Sequence, residues 1–492
     1  MNPDEIHLDD GPSLKMRTAR SIKWSTFNEI MFKLSSLVVT IFLARMLEKS
    51  DFGLYALAFV VIDGMGLFKS MGFDKALIQR KTDIEKAANT AFMIIPSLGI
   101  LLYLILLLVI PLIAKFYPEA DGIDNILRAL GLFFIIFTLS KVPVTLLEKE
   151  IKFDVLAKLE MTSQIFYSVI ALTLAFQGFG VWSLVIAYLT MNIIRCILYW
   201  KNVSWRPKFE FDRDIAIEMF HFGKYIFLGG FIWFVLSNFD KMVIPKILDI
   251  STLALYAIAM NLADIPSSFV GAKVSHVLFP TYSKLQGNMY DLAHAFVRVF
   301  KLIFMICAPI SIGLLLMGKD FLHIAYGEKW IEAAPILHIL ALYGLSNAMG
   351  YPKAPVLLSL NKPKLTFQLS ALRAAMIFIF VIPAGKLFGV CGIAWVVLIT
   401  SVILFYIGFI IINKFLNISR AQIKNMLRST SIAILVMSVV ILCMQKISGV
   451  FNFHEIVRFL ICFISGSSSY LLTLWLLEKD FILEVKDLAL KA

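Results

Sequence analysis

The sequence predicts an all-α integral membrane protein of about 14 transmembrane helices, two six-helix lobes related by an axis along the membrane normal plus two C-terminal helices. Three observations predict it. Charged residues make up only 16% of the 492 and mean hydropathy is +0.83, where a soluble domain carries about 25% charge. Unbroken apolar runs of about twenty residues recur along the chain, the length of helix that crosses a hydrocarbon core of about 30 Å. The third observation is an internal repeat: RMLEKSDFGLYALA (45–58) aligns without gaps on KILDISTLALYAIA (246–259), an offset of 201.

Forty-two Phe and 20 Met against 34 acidic residues leave too little polar surface for a water-covered globule. In lipid only helices and closed barrels satisfy the backbone, and barrel strands alternate polar and apolar over segments of about ten residues. The runs here do not alternate. Helices are therefore expected near 22–45, 52–71, 88–114, 125–147, 154–176, 179–200, 219–243, 252–279, 294–317, 333–358, 365–387, 389–413, 427–445 and 456–477. Residues 1–20 are polar with no apolar core, so no cleavable leader is expected and the first helix would be its own insertion signal.

Lysine and arginine set the orientation. With a cytoplasmic N-terminus, alternate connections carry Lys15, Arg17, Arg20 and Lys23, then Lys69, Lys75, Arg80, Lys81 and Lys86, then Lys141, Lys149, Lys152 and Lys158. Arg195, Lys201, Arg206, Lys208, Arg213 and Lys224 continue the series. This bias accounts for the net charge of +12 without nucleic acid as a partner, and an even number of spans places both termini in the cytoplasm. The outer connections are short, leaving no extracytoplasmic domain. The five cysteines lie in apolar runs without CxxC spacing, the seven histidines are scattered without HExxH, and no Walker A sequence occurs. No metal, cofactor or enzymatic activity is expected.

The repeat continues beyond its first segment. ILRALGL (126–132) matches ILHILAL (336–342), PVTLLEKEIK (143–152) matches PVLLSLNKPK (355–364), and FGV at 179–181 recurs at 388–390. Six spans per unit is an even number, so both units share one orientation. The expected divisions are 1–212 for the N-lobe, 213–425 for the C-lobe and 426–492 for the two appended helices. Two such lobes facing across a cleft form an alternating-access carrier, although duplication also occurs in channels and membrane enzymes.

Other segments fit one pattern: ARMLEKSDFGLYALA (44–58), ALIQRK (76–81), LLEKEIKFD (146–154), GFGVWSLV (178–185), WRP (205–207), LFP (278–280) and YGEKW (326–330). In these, and in order from residue 17 to 430, the chain resembles the polysaccharide transporter family of the multidrug/oligosaccharidyl-lipid/polysaccharide flippase superfamily. These are the Wzx-type bacterial exporters, and the likeness is closest to the branch handling colanic-acid-like exopolysaccharide and teichuronic acid. The resemblance implies a two-lobed, fourteen-helix flippase in a bacterial cytoplasmic (inner) membrane. Its substrate would be an oligosaccharide repeat unit on undecaprenyl pyrophosphate, moved from the cytoplasmic to the periplasmic leaflet. Membrane lipids and the polymerase and chain-length proteins of the pathway would be its partners. The resemblance supplies no catalytic residue; the matched segments lie at helix ends and loops, where they would serve topology and packing more than substrate.

A sugar bearing pyrophosphate cannot enter hydrocarbon, so ionisable residues deep in the spans are the informative ones. Lys33 lies about 16 Å into the first span, counted from Ile22, with Glu29 one turn earlier on the same face. The pair is either a phosphate or sugar contact or a structural ion pair. Asp63 and Asp264 occupy the same position of the two lobes at the offset of 201, whereas Lys33 is matched by Phe234. Asp63 therefore has a candidate cation and Asp264 has none. A carboxylate without a cation suits ion coupling, with H+ or Na+ as the coupling ion, and Asn261 one turn away is the alternative partner for Asp264. Arg195, Arg298 and Arg373 lie near the cytoplasmic ends of their spans, beside Lys141 and Lys158. They are candidates for capturing a pyrophosphate headgroup or for snorkelling to anionic lipid. Asp240 and Lys241, near the outer end of the seventh span, are either a gate or interfacial anchors. A membrane-embedded polysaccharide polymerase or ligase, and a small-molecule exporter of the same superfamily, are the alternative functions.

Overall fold

The computed structural model describes residues 31–268, 278, 281–451 and 453–491. Residues 22–30 of the first expected span, with Glu29, and 269–277 and 279 of the eighth lie outside the described residues. Every regular element among the described residues is a helix, as a lipid-embedded backbone requires. Nine helical segments there are long and apolar enough to cross a membrane. One of them, Pro363–Leu416, is 54 residues long and is interrupted by the non-helical dihedrals of Gly389, where the spans expected at 365–387 and 389–413 meet. The chain forms two compact units, Met1–Val235 and Leu236–Ala492. The division falls inside a helix, Arg213–Ile247, and the two last helices belong to the second unit.

The first unit contains α1 (31–46), α2 (Lys49–Gly66), α3 (Phe73–Gln79), α4 (Ile84–Phe116), α5 (Ile123–Lys149), α6 (Phe153–Phe176), α7 (Val181–Asn202) and the start of α8 (Arg213–Ile247). Asp51 joins two of the motif segments. Its Oδ2 accepts the N–H of Glu48 (3.1 Å) at the start of α2, and its Oδ1 accepts the N–H of Val181 (3.0 Å) at the start of α7. One carboxylate thus serves two helix N-termini, where the dipoles favour an anion. Lys149 does the converse: its ammonium donates to the carbonyls of Leu77 (2.9 Å), Ile78 (3.0 Å) and Arg80, closing the end of α3. A seven-residue helix would not hold in isolation. Its Phe73, Ala76 and Leu77 are buried with Ala88 and Ile95 of α4 and Val142 of α5. The connection from α7 to α8 is fixed to the first turns of α4. Asn89 accepts from the N–H of Lys208 (3.2 Å) and Thr90 from that of Asp212 (3.1 Å).

The second unit continues with α9 (Ile250–Ala263), α10 (Met289–Phe321), α11 (Ala334–Gly350), α12 (Lys353–Ser359), α13 (Pro363–Leu416), α14 (Arg420–Val450) and α15 (Glu455–Lys491). Two expected spans are interrupted. The one at 252–279 leaves its first helix at Ala263, with Asp264 as the cap ahead of Pro266, and the one at 333–358 divides into α11 and α12 at Tyr351–Pro352. Proline lacks the N–H that would continue the ladder. The FGV glycines take matching conformations, φ +53° and ψ −136° at Gly180, φ +63° and ψ −154° at Gly389. Residues with a side chain rarely adopt this region, so both copies turn on the one residue that fits. Aromatic rings form the core between α10 and α13, with Phe300 stacked on Phe405 at 5.9 Å and Phe296 against Phe409 at 6.4 Å. Helix α15 breaks at Glu478. There Glu478 pairs with Lys301 of α10 at 2.6 Å, the two side chains only 14% and 15% exposed, and accepts from Ser429 of α14 at 2.5 Å.

Candidate functional site

A cavity of about 490 Å³ lies within the second unit, walled by α11, α12 and both halves of α13. Two cations line it. Arg373, from the first half of α13, donates to the Tyr343 hydroxyl at 3.4 Å. Lys353, at the start of α12, donates to the carbonyl of Leu404 (3.2 Å) and lies 5.6 Å over the ring of Phe405. Because Phe405 is fixed by its stacking on Phe300, the aromatic core positions the ammonium. The remaining polar wall is neutral. Ser401 donates to Ser346 at 3.1 Å, Asn347 stands beside them, and Thr366 Oγ1 is buried with no hydrogen-bond partner among the described residues. No carboxylate is among the described lining residues. Paired cations with hydroxyl and amide neighbours suit an anionic, hydroxyl-bearing ligand.

An acidic cluster belongs to the same unit. Asp240 on α8 is 6% exposed and accepts from the Tyr256 hydroxyl of α9, while Lys241 donates to Asn238 at 3.3 Å. Asp264 accepts from Ser267 at 3.4 Å, and the charges of Lys241, Asp240 and Arg373 all act on it. No ion pair to Asp264 forms among the described residues, and the repeat gives it no matching lysine; two cations nonetheless act on it from a distance. They are Lys241 on α8 and Arg373 on α13, which a local sequence spacing does not bring together. Asn261 is exposed, and Ser267 takes the hydrogen-bonding place expected of it.

In the first unit Lys141 pairs with Asp74 at 3.0 Å, the side chains 13% and 7% exposed. Burial disfavours the Asp74 charge, but the charge and hydrogen bond of Lys141 prevail and hold its carboxyl below the ordinary value. Lys69 lies 4.0 Å over the Phe137 ring, and the charge of Asp63, exposed on α2, acts on it. The charges of Asp63 and Arg195 both act on Tyr188, and Arg195 Nε is buried without a hydrogen-bond partner among the described residues. Lys33 is half-buried on α1, and its expected companion Glu29 is outside the described residues. Arg298 is engaged elsewhere: it pairs with Glu484 at 2.5 Å, past the break in α15, and does not line the cavity that holds Arg373.

Of the sequence candidates, the structure therefore brings Asp240, Lys241, Asp264 and Arg373 into one electrostatic neighbourhood. Sequence reasoning missed Lys353 and Thr366. The signal for Lys353 was present, because the match at Pro143 and Pro355 extends two residues upstream to KVPV (141–144) and KAPV (353–356). A separate cavity of about 770 Å³ lies among α10, α14 and α15, with walls such as Met305, Pro309, Met437, Phe463 and Leu471 that suit hydrocarbon rather than sugar.

Comparisons with known proteins agree with this architecture. A family model described as polysaccharide biosynthesis protein matches residues 42–335. The teichuronic acid biosynthesis protein TuaB of Bacillus subtilis (strain 168) is 25% identical over 399 residues, covering 81% of this chain and 82% of its own. The lipopolysaccharide biosynthesis protein WzxC of Escherichia coli (strain K12) is 22% identical over 408 residues, 82% of each chain. Among solved structures, the lipid II flippase MurJ in an inward closed conformation aligns with a TM-score of 0.74 at 15% identity, over 94% of this chain and 100% of that one. That last likeness is one of fold.

Proposed function

The chain belongs to the polysaccharide biosynthesis protein family, and on that premise we propose that it is a flippase rather than an enzyme. It carries an undecaprenyl-pyrophosphate-linked oligosaccharide repeat unit from the cytoplasmic to the outer leaflet of a bacterial inner membrane, with both termini in the cytoplasm. The observation that carries this reading is the extent of the match: proteins named for teichuronic acid and lipopolysaccharide biosynthesis align over four-fifths of the chain. The fold shared with a lipid II flippase supports it. Physically, the lipid tail can stay in the bilayer while the headgroup needs a polar route, since a charge at the centre of the bilayer costs roughly 3 kcal/mol or more.

Transport proceeds by alternating access in this reading, coupled to H+ or Na+ through Asp264. An Asp264→Asn variant that exported normally and independently of pH would remove that coupling role. A polymerase or ligase would need acid and base groups on the outer face, where the connections are short. Deleting the protein and identifying the lipid-linked saccharide that accumulates tests the function. Full repeat units retained on the cytoplasmic face support flipping, whereas exported but unpolymerised units would transfer the role to polymerisation.

A further inference from the structure

We propose that the cavity walled by α11, α12 and α13 binds the phosphate-bearing head of the carried molecule, with Lys353 and Arg373 as its cations. The proposal rests on the flippase reading above and adds which part of the substrate is held and by which residues.

The duplicated sequence supplies the argument. The lysine of the KxPV tetrapeptide is kept in both halves, as Lys141 and Lys353. In the first unit it has an internal counter-ion, Asp74 at 3.0 Å, and the pair is closed. The position 201 residues beyond Asp74 is Ser275, so the second copy of the sequence carries no acid there. Lys353 instead lines a cavity with no carboxylate among its described wall residues, beside a second cation, Arg373, near enough for its charge to act on the lysine. Like charges drawn together in this way favour an anion between them. The acids that face this neighbourhood, Asp264 and Asp240, lie outside the walls; Asp264 feels the charge of Arg373, and Asp240 is taken by Tyr256. A guanidinium offers a planar fork for phosphate oxygens and an ammonium a compact charge. The unsatisfied Thr366 hydroxyl, with Asn347, Ser346 and Ser401, gives neutral partners for an adjoining sugar. A volume of about 490 Å³ accommodates a diphosphate with one such ring. The lysine of one copy is held in a structural ion pair, and that of the other lines a cavity suited to an external anion.

The test uses purified full-length protein in detergent, titrated with inorganic pyrophosphate at constant ionic strength and followed by calorimetry. Farnesyl pyrophosphate is the lipid-borne probe, and nanodiscs containing phosphatidylglycerol represent bulk anionic lipid. Wild type is expected to bind both pyrophosphates. K353Q and R373Q are each expected to bind roughly tenfold more weakly or worse, as loss of a charged hydrogen bond implies, with K353R near wild type. Ser401→Asp, which gives the cavity the counter-ion that the first copy has, is expected to abolish binding while the melting temperature holds. Unchanged affinity in both K353Q and R373Q overturns the proposal, as does a wild type that responds to phosphatidylglycerol and to neither pyrophosphate. Failure of the two readings is separable. Retained repeat units in the deletion strain together with unaltered binding by K353Q and R373Q leave the flippase and remove the site. Loss of binding in those variants, without any retained lipid-linked saccharide on deletion, leaves the site and removes the flippase.

Discussion

Replacing Lys141 with Met should destabilise the protein severely, while the same replacement at its repeat partner Lys353 should not. Lys141 and Asp74 are 3.0 Å apart and almost fully enclosed. Removing the ammonium strands a carboxylate in a setting that already disfavours its charge. Breaking one side of such a pair costs about 3–5 kcal/mol. Removing both sides, as D74N with K141M, leaves neither member of the pair stranded, with Lys69 still facing Asp63, and should cost only about 1–2 kcal/mol. At Lys353 no carboxylate is left behind, and substitution separates two cations, so K353M should melt at or above wild type even as it loses anion binding. The assay is thermal unfolding of the purified protein in detergent, followed by tryptophan fluorescence at one pH. The diagnostic is the order: K141M lowest, the double variant partly recovered, K353M highest. A double variant no more stable than K141M would refute the reasoning, and so would a K353M that falls as far as K141M.

Asp51→Ala should lower stability by about 2 kcal/mol, roughly 1 for each helix start it serves, and a melting temperature equal to wild type would count against the shared cap. Glu478→Ala strands Lys301 and should cost about 3 kcal/mol, with limited proteolysis expected to cut faster beyond residue 478; unchanged cutting would oppose this. Because Asp74 is held below its ordinary value of 3.8, its stabilisation is present above that pH and fades as the pH falls through the lower folded value. The melting difference between wild type and D74N should therefore shrink below about pH 4, and a constant difference would contradict the pairing.

The helical class was legible in the sequence because lipid leaves helices as the outcome for a twenty-residue apolar run, and nine helices of spanning length occur among the described residues. The ends of helices were less legible. Hydropathy carries a span through 333–358, whereas Pro352 divides it, and α2 stops at Gly66 ahead of the expected 71. Arg373 stood out as a charge inside an apolar run. Lys353 did not, although it falls inside the span expected at 333–358, because its neighbours Leu404 and Arg373 come from the two halves of another helix. The environment of Asp264 was illegible for the same reason: the charges of Lys241 and Arg373 act on it through tertiary packing that no local spacing encodes. The motif segments, by contrast, gained a physical account in Asp51 and Lys149, each closing helix ends from another part of the chain.

Gly180 and Gly389 open the final helix of each duplicated half with nearly the same pair of dihedral angles. That gives recombination between relatives a natural seam. A chimera spliced at either glycine receives a joint already shaped for the helix that follows, so the crossover adds no strain. A splice that moves the glycine by one residue forces a β-carbon into a geometry that excludes it. Exchange of sugar specificity between exporters is best attempted with breakpoints at these two positions.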